Sequence, residues 1–152
     1  RLVGSEMCIR DRSYMSDRLL TIGNTTAALD ELYIWLSNPT AIEYIRNCLK
    51  RVRKKESAML LASQNLEDFD QEQVREMTKP LFSIPPHQFL FNAGSVDKKF
   101  YMDNLQLEPA EFELIRYPQR GVCLYRCGNE RYLLEVHAPA YKEALFGTAG
   151  GR

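Results

Sequence analysis

The chain has 152 residues, with 20 basic and 20 acidic side chains and 45% hydrophobic residues. This composition is typical of soluble globular domains, excludes disorder, and argues against a protein that holds nucleic acid mainly by its overall charge. No apolar run approaches the roughly 20 residues that a membrane-spanning helix needs, and four cysteines in a chain of this length do not indicate a disulfide scaffold.

The opening segment RLVGSEMCIRDR has neither helical nor strand periodicity, and it lacks the pattern of a secretory signal. It resembles a translated sequencing adaptor, so we expect residues 1–13 to be non-native. A flexible native N-terminus is the alternative. The domain is then expected to occupy residues 14–152.

The first predicted strand is a short, buried apolar run that ends near Leu29 and is followed by Asp30 and Glu31. Asn38 and Pro39 then suit the N-cap and the first position of a helix. Apolar residues recur at helical spacing, which predicts an amphipathic helix over residues 39–55. The end of this helix is basic, with Arg46, Lys50, Arg51, Arg53, Lys54 and Lys55.

The continuous apolar run at 58–63 predicts a second strand, covered on both faces, that delivers Gln64 at its C-terminal edge. A capping box at 70–73 predicts a short helix that ends before Pro80. The segment at 87–92 is a third strand candidate. Ser95 is a candidate cap for the helix that follows.

Residues 108–109 begin a further helix, with proline at its first position. The alternation at 121–127 and 131–137 predicts a hairpin, and a last helix follows at 139–146. This order predicts an α/β fold with a mainly parallel sheet flanked by helices, to which the C-terminal hairpin adds one antiparallel edge before the terminal helix.

Three polar side chains follow the first two predicted strands, namely Asp30, Glu31 and Gln64. Ligands of open parallel sheets bind at the carboxyl ends of the strands. An apolar strand that ends in Asp-Glu suits nucleoside triphosphate hydrolysis, because the aspartate can hold Mg²⁺ through its water shell and the glutamate can polarise the attacking water. Gln64 could contact that water and the γ-phosphate. The alternative is that the acids cap the next helix and Gln64 bonds a loop.

Arg51 and Arg53 suit an arginine finger offered to the phosphates of a neighbouring subunit. The alternative is a solvated basic helix end. The sequence contains no Gly-x-x-x-x-Gly-Lys-Ser/Thr loop, so it cannot build a complete triphosphate site from its own residues.

Cys123 and Cys127 lie four residues apart, with His137 nearby. They lack the usual Cys-x-x-Cys spacing of zinc sites, so we expect buried, reduced thiols. Core positions are expected for the scattered aromatic residues Tyr33, Trp35, Tyr44, Phe82, Phe89, Phe91, Phe100 and Tyr101.

The stretch LDELYIWLSNPTAIEYIRNCLKRVRKKESAMLLASQNLEDF resembles the C-terminal half of the ATPases of type IV secretion and conjugative transfer (VirB/TraC/TraE type). These belong to the HerA/FtsK branch of RecA-like P-loop NTPases. The shared pattern is a strand ending in Asp-Glu, a helix with an early proline and a basic end, and a strand closing in Ala-Ser-Gln. Because the later segments QFLFNAGSVD, LEPAEFELI and GVCLYRCGNERYLLEVHAP are also similar, the resemblance covers residues 14–152.

The resemblance implies a partial RecA-like fold and an ATPase that uses ATP and Mg²⁺. It implies that Asp30 and Glu31 are the Walker B acids, that Gln64 senses the γ-phosphate, and that Arg51 or Arg53 is the arginine finger. In this family the phosphate loop lies upstream, so the chain is expected to be an N-terminally truncated fragment that is inactive alone. The strand TTAAL is less hydrophobic than is usual for the family.

The resemblance further implies a homo-oligomer, a hexamer when intact, at the inner face of the cytoplasmic membrane with other subunits of the secretion machinery. Direct binding to nucleic acid is left open. One alternative is a DNA-translocating motor or coupling protein of the same branch, which should show a basic DNA-facing loop. Another is a non-catalytic interaction module whose acids are structural.

Overall fold

The computed structural model describes residues 13–64, 69, 74–92, 98–117 and 119–147. The chain divides into two compact units, Arg1–Pro85 and Pro86–Arg152. The segment predicted to be non-native, at 1–13, lies outside the described residues except for Ser13. The predicted caps at 70–73 and at Ser95 also lie outside them.

The first unit is built around two strands joined by helices. Its elements in chain order are a π-helical turn (Asp17–Ile22), β1 (Thr26–Leu29), α1 (Tyr33–Leu36), α2 (Pro39–Arg51), a 3₁₀ turn (Val52–Lys55), β2 (Ala58–Leu61) and α3 (Arg75–Ser83). The strand that ends at Leu29 and the strand that starts at Ala58 confirm the predicted positions of the strands. The predicted burial of β1 is wrong, because Thr26 and Ala28 are exposed and Leu29 alone of its four residues is buried.

Helix α2 begins where the sequence predicts, because its first turn carries its own local signals. Asn38 is extended, and its Oδ1 accepts the backbone N–H of Thr40 at 2.9 Å. Pro39 occupies the first position, where a helix needs no N–H donor. The prediction extends this helix to residue 55. In the structure the α-helix ends at Arg51, and Val52–Lys55 continues it as a 3₁₀ turn.

The core of the first unit joins the end of β1 to the three helices. Its buried members are Leu29, Leu32, Leu36, Ile42, Ile45, Phe69, Val74 and Leu81. Fully burying an aliphatic side chain of this size stabilises a fold by roughly 1.5–3 kcal/mol relative to leaving it exposed. This cluster therefore fixes the position of α2 against the residues that follow β1.

Strands β1 and β2 pair in parallel, with Thr26 opposite Ala58 and Leu29 opposite Leu61. The prediction that β2 is covered on both faces is wrong in the described part of the chain, because Leu60 is 57% exposed. Leu61 packs on the core, and successive side chains of a strand point to opposite faces. Strand β2 thus has one covered face and one open face.

Helix α3 corrects the prediction of a helix that ends before Pro80, since it continues through that residue to Ser83. A proline inside a helix leaves the carbonyl four residues earlier without its N–H partner. That carbonyl belongs to Glu76, a residue that is exposed as a whole. The helix ends in a regular turn, in which the N–H of Ile84 donates to the carbonyl oxygen of Pro80 at 3.0 Å.

The second unit is a three-stranded antiparallel sheet with helices. Its elements are β3 (His87–Leu90), α4 (Lys98–Leu105), α5 (Pro109–Ile115), β4 (Val122–Cys127), β5 (Glu130–Glu135) and α6 (Ala140–Phe146). The predicted hairpin and terminal helix are confirmed. So is the helix that starts at Pro109, where Glu108 and Glu111 form a capping box.

The pairing of β3 departs from the predicted sheet. Strand β3 runs antiparallel to β4, with His87 opposite Cys127, and the strand order is β3-β4-β5. The described residues therefore form a mixed α/β fold with two sheets, and only β1 and β2 are parallel, instead of one mainly parallel sheet that the hairpin extends. The apolar pattern of 87–92 specifies a strand but not the direction of its partner.

Helices α4 and α5 are held in the second unit by packing and by ion pairs. The rings of Tyr101 and Phe112 meet edge to face, with centroids 5.9 Å apart. Arg131 Nε lies 3.1 Å from Glu111 Oε1, and this pair joins β5 to α5. Across the ranges that the structure describes, every helix is too short or too polar to span a bilayer.

Candidate functional site

The Asp30–Glu31 turn follows β1 directly and is fastened to the end of β2. The N–H of Ala62 donates to the carbonyl oxygen of Leu29, and the N–H of Leu32 donates to the carbonyl oxygen of Ala62, each at 2.9 Å. These two bonds hold the turn from both sides. Both acidic side chains are exposed.

The turn has a strained residue at its centre. Glu31 has φ 51°, the left-handed region that a non-glycine residue adopts at a cost. Its backbone N–H donates to Asp30 Oδ1 at 2.9 Å. One oxygen of the Asp30 carboxylate is thus used within the turn.

Gln64 lies at the same edge of the sheet as the two acids. It follows β2 by three residues and is exposed, just as Asp30 and Glu31 follow β1. Because β1 and β2 are parallel, their carboxyl ends share one edge. The structure therefore places the three predicted residues at one edge of the sheet, and the chemical role of each stays a prediction.

The donor set at this edge fits a magnesium ion held mainly by water and phosphate. Mg²⁺ keeps several waters and binds one or two carboxylates together with substrate phosphates. One exposed aspartate beside one exposed glutamate fits that mode. In the described residues, no group of three or more His, Cys, Asp or Glu side chains could hold a metal ion by itself.

Arg51 and Arg53 lie at the opposite end of the strands. Arg51 ends α2 and Arg53 belongs to the 3₁₀ turn, and both are exposed. The carbonyl oxygen of Lys55 accepts the N–H of Asn24 at 2.9 Å, so the basic segment lies beside the start of β1. A strand of four residues spans about 13 Å. Within one chain, the arginines are therefore not brought to the acids.

The start of both strands is joined by hydroxyl contacts that sequence reasoning missed. Ser57 is buried, its Oγ accepts the N–H of Thr25 at 3.3 Å, and it donates to the carbonyl oxygen of Lys55 at 3.3 Å. The signal available in the sequence was that Thr25 and Ser57 each stand directly before one of the two parallel strands. These contacts position the basic segment and contribute no chemistry of their own.

A row of stacked rings on the antiparallel sheet was also missed. Phe89 stacks on Tyr125 at 4.7 Å between centroids, Tyr125 stacks on Tyr132 at 6.0 Å, and His87 Nδ1 lies 2.8 Å from the Tyr125 hydroxyl. Phe89 is 49% exposed, so its predicted core position is wrong, as are those of Tyr33 and Phe91. The three rings stand opposite one another in the strand register, which the sequence alone does not give.

Hydrogen bonds shift the acidity of two of these phenols. A hydrogen bond with Cys127 is the main cause that raises the pKa of Tyr125, and the hydrogen bond to Glu130 raises the pKa of Tyr132. Burial raises the pKa of the Cys123 thiol. Cys123 and Cys127 are free thiols; Cys123 is buried as expected, but Cys127 is only partly buried, so the predicted burial is wrong for Cys127.

The chain is thus an α/β protein in which a parallel strand pair carries acidic and amide side chains at its carboxyl edge. No protein-family model matches the sequence, and no curated protein does. Among solved structures, the chain is similar to VirB4 of Thermoanaerobacter pseudethanolicus, with a TM-score of 0.73 and 27% sequence identity. The match covers 80% of this chain and 33% of that one, so the chain spans about a third of the length of VirB4.

Proposed function

We propose that this chain is part of the ATPase domain of a type IV secretion ATPase of the VirB4 kind. The observation that carries the proposal is the similarity to VirB4 over 80% of the chain. The shared carboxyl edge of Asp30, Glu31 and Gln64 supports it independently, since ligands of parallel sheets bind at that edge. RecA-like architecture, in which further parallel strands would flank β1 and β2, is part of this proposal.

Asp30, Glu31 and Gln64 would each have a separate role in ATP hydrolysis. Asp30 would hold the water shell of Mg²⁺, which supplies charge neutralisation at the phosphates when bound. Glu31, exposed beside it, would orient and polarise the attacking water. Gln64, on the neighbouring strand end, would contact that water and the γ-phosphate.

The position of the basic helix end supports a role between subunits. Arg51 and Arg53 lie at the amino edge, about one strand length from the acids, so they would reach phosphates held by a neighbouring copy. An arginine finger supplied in this way stabilises the charge of the transferring phosphoryl group. We therefore propose a homo-oligomer, a hexamer when intact, acting with other secretion subunits at the inner face of the cytoplasmic membrane.

The test uses a version of the protein extended upstream to include a Gly-Lys-Ser/Thr phosphate loop. Glu31→Gln should lower the rate of magnesium-dependent ATP hydrolysis by about 100-fold or more while ATP binding is kept, because the general base contributes that much to many hydrolases. Glu43→Gln, which changes an exposed glutamate on α2, is the matched control and should have no effect. Unchanged turnover in the Glu31 variant would show that Glu31 is not the catalytic base and would favour a structural role for the acids of this turn.

A further inference from the structure

The 3₁₀ turn that follows α2 is held at one backbone atom, the carbonyl oxygen of Lys55. The N–H of Asn24 donates to this oxygen at 2.9 Å, and the Ser57 hydroxyl donates to it at 3.3 Å. A Cβ at Gly23 would lie 2.6 Å from the same oxygen, so the backbone before β1 passes closer to it than a side chain allows. The turn is therefore packed against the segment that leads into β1.

Ser57 joins this turn to the starts of both strands. It is buried, it stands directly before β2, and its Oγ accepts the N–H of Thr25, the residue directly before β1, at 3.3 Å. Its own N–H donates to the carbonyl oxygen of Val52 at 3.1 Å, and the Val52 side chain is buried as well. One serine thus bonds to the first and the last residue of the turn and to the start of β1.

Arg53 is the arginine that these bonds hold most directly, because it lies inside the turn. Its carbonyl oxygen accepts the N–H of Glu56 at 3.3 Å, so its backbone belongs to the bonded segment. Its side chain is exposed. A backbone that is held while its guanidinium stays in solvent is the arrangement expected of a charge that is presented to another molecule.

We propose that Ser57 is a positioning residue, which sets the place of the arginine that one copy of the chain presents to the phosphates of its neighbour. This inference rests on the proposed function. Misplacing a catalytic group by about 1 Å can cost about 100-fold in rate, so an arginine finger needs such support. Ser57 is buried about one strand length from the acids of its own chain, so it would act on turnover only through the arginine.

The first experiment measures steady-state ATP hydrolysis by the upstream-extended protein. Ser57→Ala should lower kcat about tenfold and leave KM for ATP unchanged, because the arginine finger acts on the transition state. Ser57→Thr keeps the hydroxyl and should restore kcat. Ser57→Cys keeps the size of the side chain but has only a weak donor, so it should repeat the loss. The matched control is Ser37→Ala, which removes a hydroxyl that donates to the carbonyl oxygen of Ile34 at 2.9 Å, and it should have no effect.

The second experiment asks whether Ser57 acts on its own site or on that of a neighbour. Two copies with different affinity tags are co-expressed, and mixed oligomers are isolated by purification on both tags. Glu31→Gln subunits lack turnover of their own but carry a well-placed arginine. Mixed with Ser57→Ala subunits, they should raise the turnover of the latter severalfold above that of the pure Ser57→Ala oligomer. Subunits that carry both Glu31→Gln and Ser57→Ala are the control and should give no such rise.

The outcomes separate this inference from the proposed function. If Glu31→Gln abolishes turnover and Ser57→Ala does not lower it, the inference alone is overturned. It is also overturned if Glu31→Gln subunits do not rescue Ser57→Ala subunits, or if the doubly substituted subunits rescue them equally, since Ser57 would then serve only the fold of its own chain. If Glu31→Gln leaves turnover unchanged, the proposed function fails, and this inference fails with it. Circular dichroism checks that each variant is folded.

Discussion

The backbone N–H of Leu32 donates to the carbonyl oxygen of Ala62 at 2.9 Å, so the turn that follows β1 is bonded to the end of β2. This bond lies between the acids of one strand end and Gln64 of the next. It means that the relative position of the candidate catalytic side chains is set by backbone pairing as well as by their own rotamers. The core beneath them, in which Leu32 is 2% exposed, supports the same arrangement.

The first unit should depend strongly on Ile42, which is fully buried in its core. Ile42→Ala should lower the free energy of unfolding by about 2–5 kcal/mol, because it removes buried methyl groups and leaves a cavity. Ile34→Ala is the matched control, since Ile34 is 56% exposed, and should cost less than about 1 kcal/mol. Urea unfolding followed by far-ultraviolet circular dichroism measures both. Equal losses in the two variants would contradict the described core.

Local signals explain why parts of this fold could be predicted from the sequence. Asn38 and Pro39 determine the start of α2, and their effects act within one turn. The capping box of Glu108 and Glu111 determines the start of α5 in the same local way. The carboxyl-edge position of Asp30 and Gln64 also followed, since it needs only two parallel strands joined by a helix.

Long-range pairing explains what the sequence could not give. His87 lies opposite Cys127, forty positions later, and the apolar pattern of β3 is equally compatible with a parallel partner. The stacking of Phe89 on Tyr125 depends on that same register, so it could not be read from either strand alone. Helix α3 passes through Pro80, and the hydrogen bond that it loses there involves the carbonyl of Glu76, a residue that is exposed in the fold.

Gly121 in the second unit should tolerate no side chain. It has φ 78°, and a Cβ built there would lie 2.5 Å from the carbonyl oxygen of Val136, a backbone atom that cannot move aside cheaply. Gly121→Ala should therefore destabilise the chain by about 2 kcal/mol or more, the conformational cost plus the clash.

Gly128 provides the control in the same hairpin. It also has positive φ, at 57°, but a Cβ there would meet nothing within 4 Å. Gly128→Ala should pay only the conformational cost of about 1 kcal/mol. Thermal unfolding of the two variants gives the comparison, and a Gly128 variant less stable than the Gly121 variant would contradict the described approach of Val136.

Glu113 should titrate at an unusually low pH. Hydrogen bonds from Lys98 first, and from Arg116 second, lower the pKa of its carboxyl. Because the folded pKa lies below the unfolded one, the stabilisation is complete above the unfolded pKa and is lost as pH falls through the folded pKa. Lys98→Gln should raise the pKa of Glu113 toward its ordinary value, whereas Lys99→Gln should leave it unchanged. A side-chain carboxyl titration by NMR decides this, and an identical Glu113 pKa in both variants would count against the Lys98 contact.

The 152-residue chain should bind ATP only weakly and should not hydrolyse it. Triphosphates are normally cradled by the backbone N–H groups and the lysine of a phosphate loop, and the sequence contains no such motif. The carboxyl edge offers Asp30 and Glu31, which repel phosphate, while Arg51 and Arg53 lie at the opposite edge. Calorimetry with Mg²⁺ and ATP, together with a phosphate-release assay, measures binding and turnover, and Glu31→Gln should show the same background as the wild type. Magnesium-dependent phosphate release that this substitution abolishes would show that the described chain already holds a complete site.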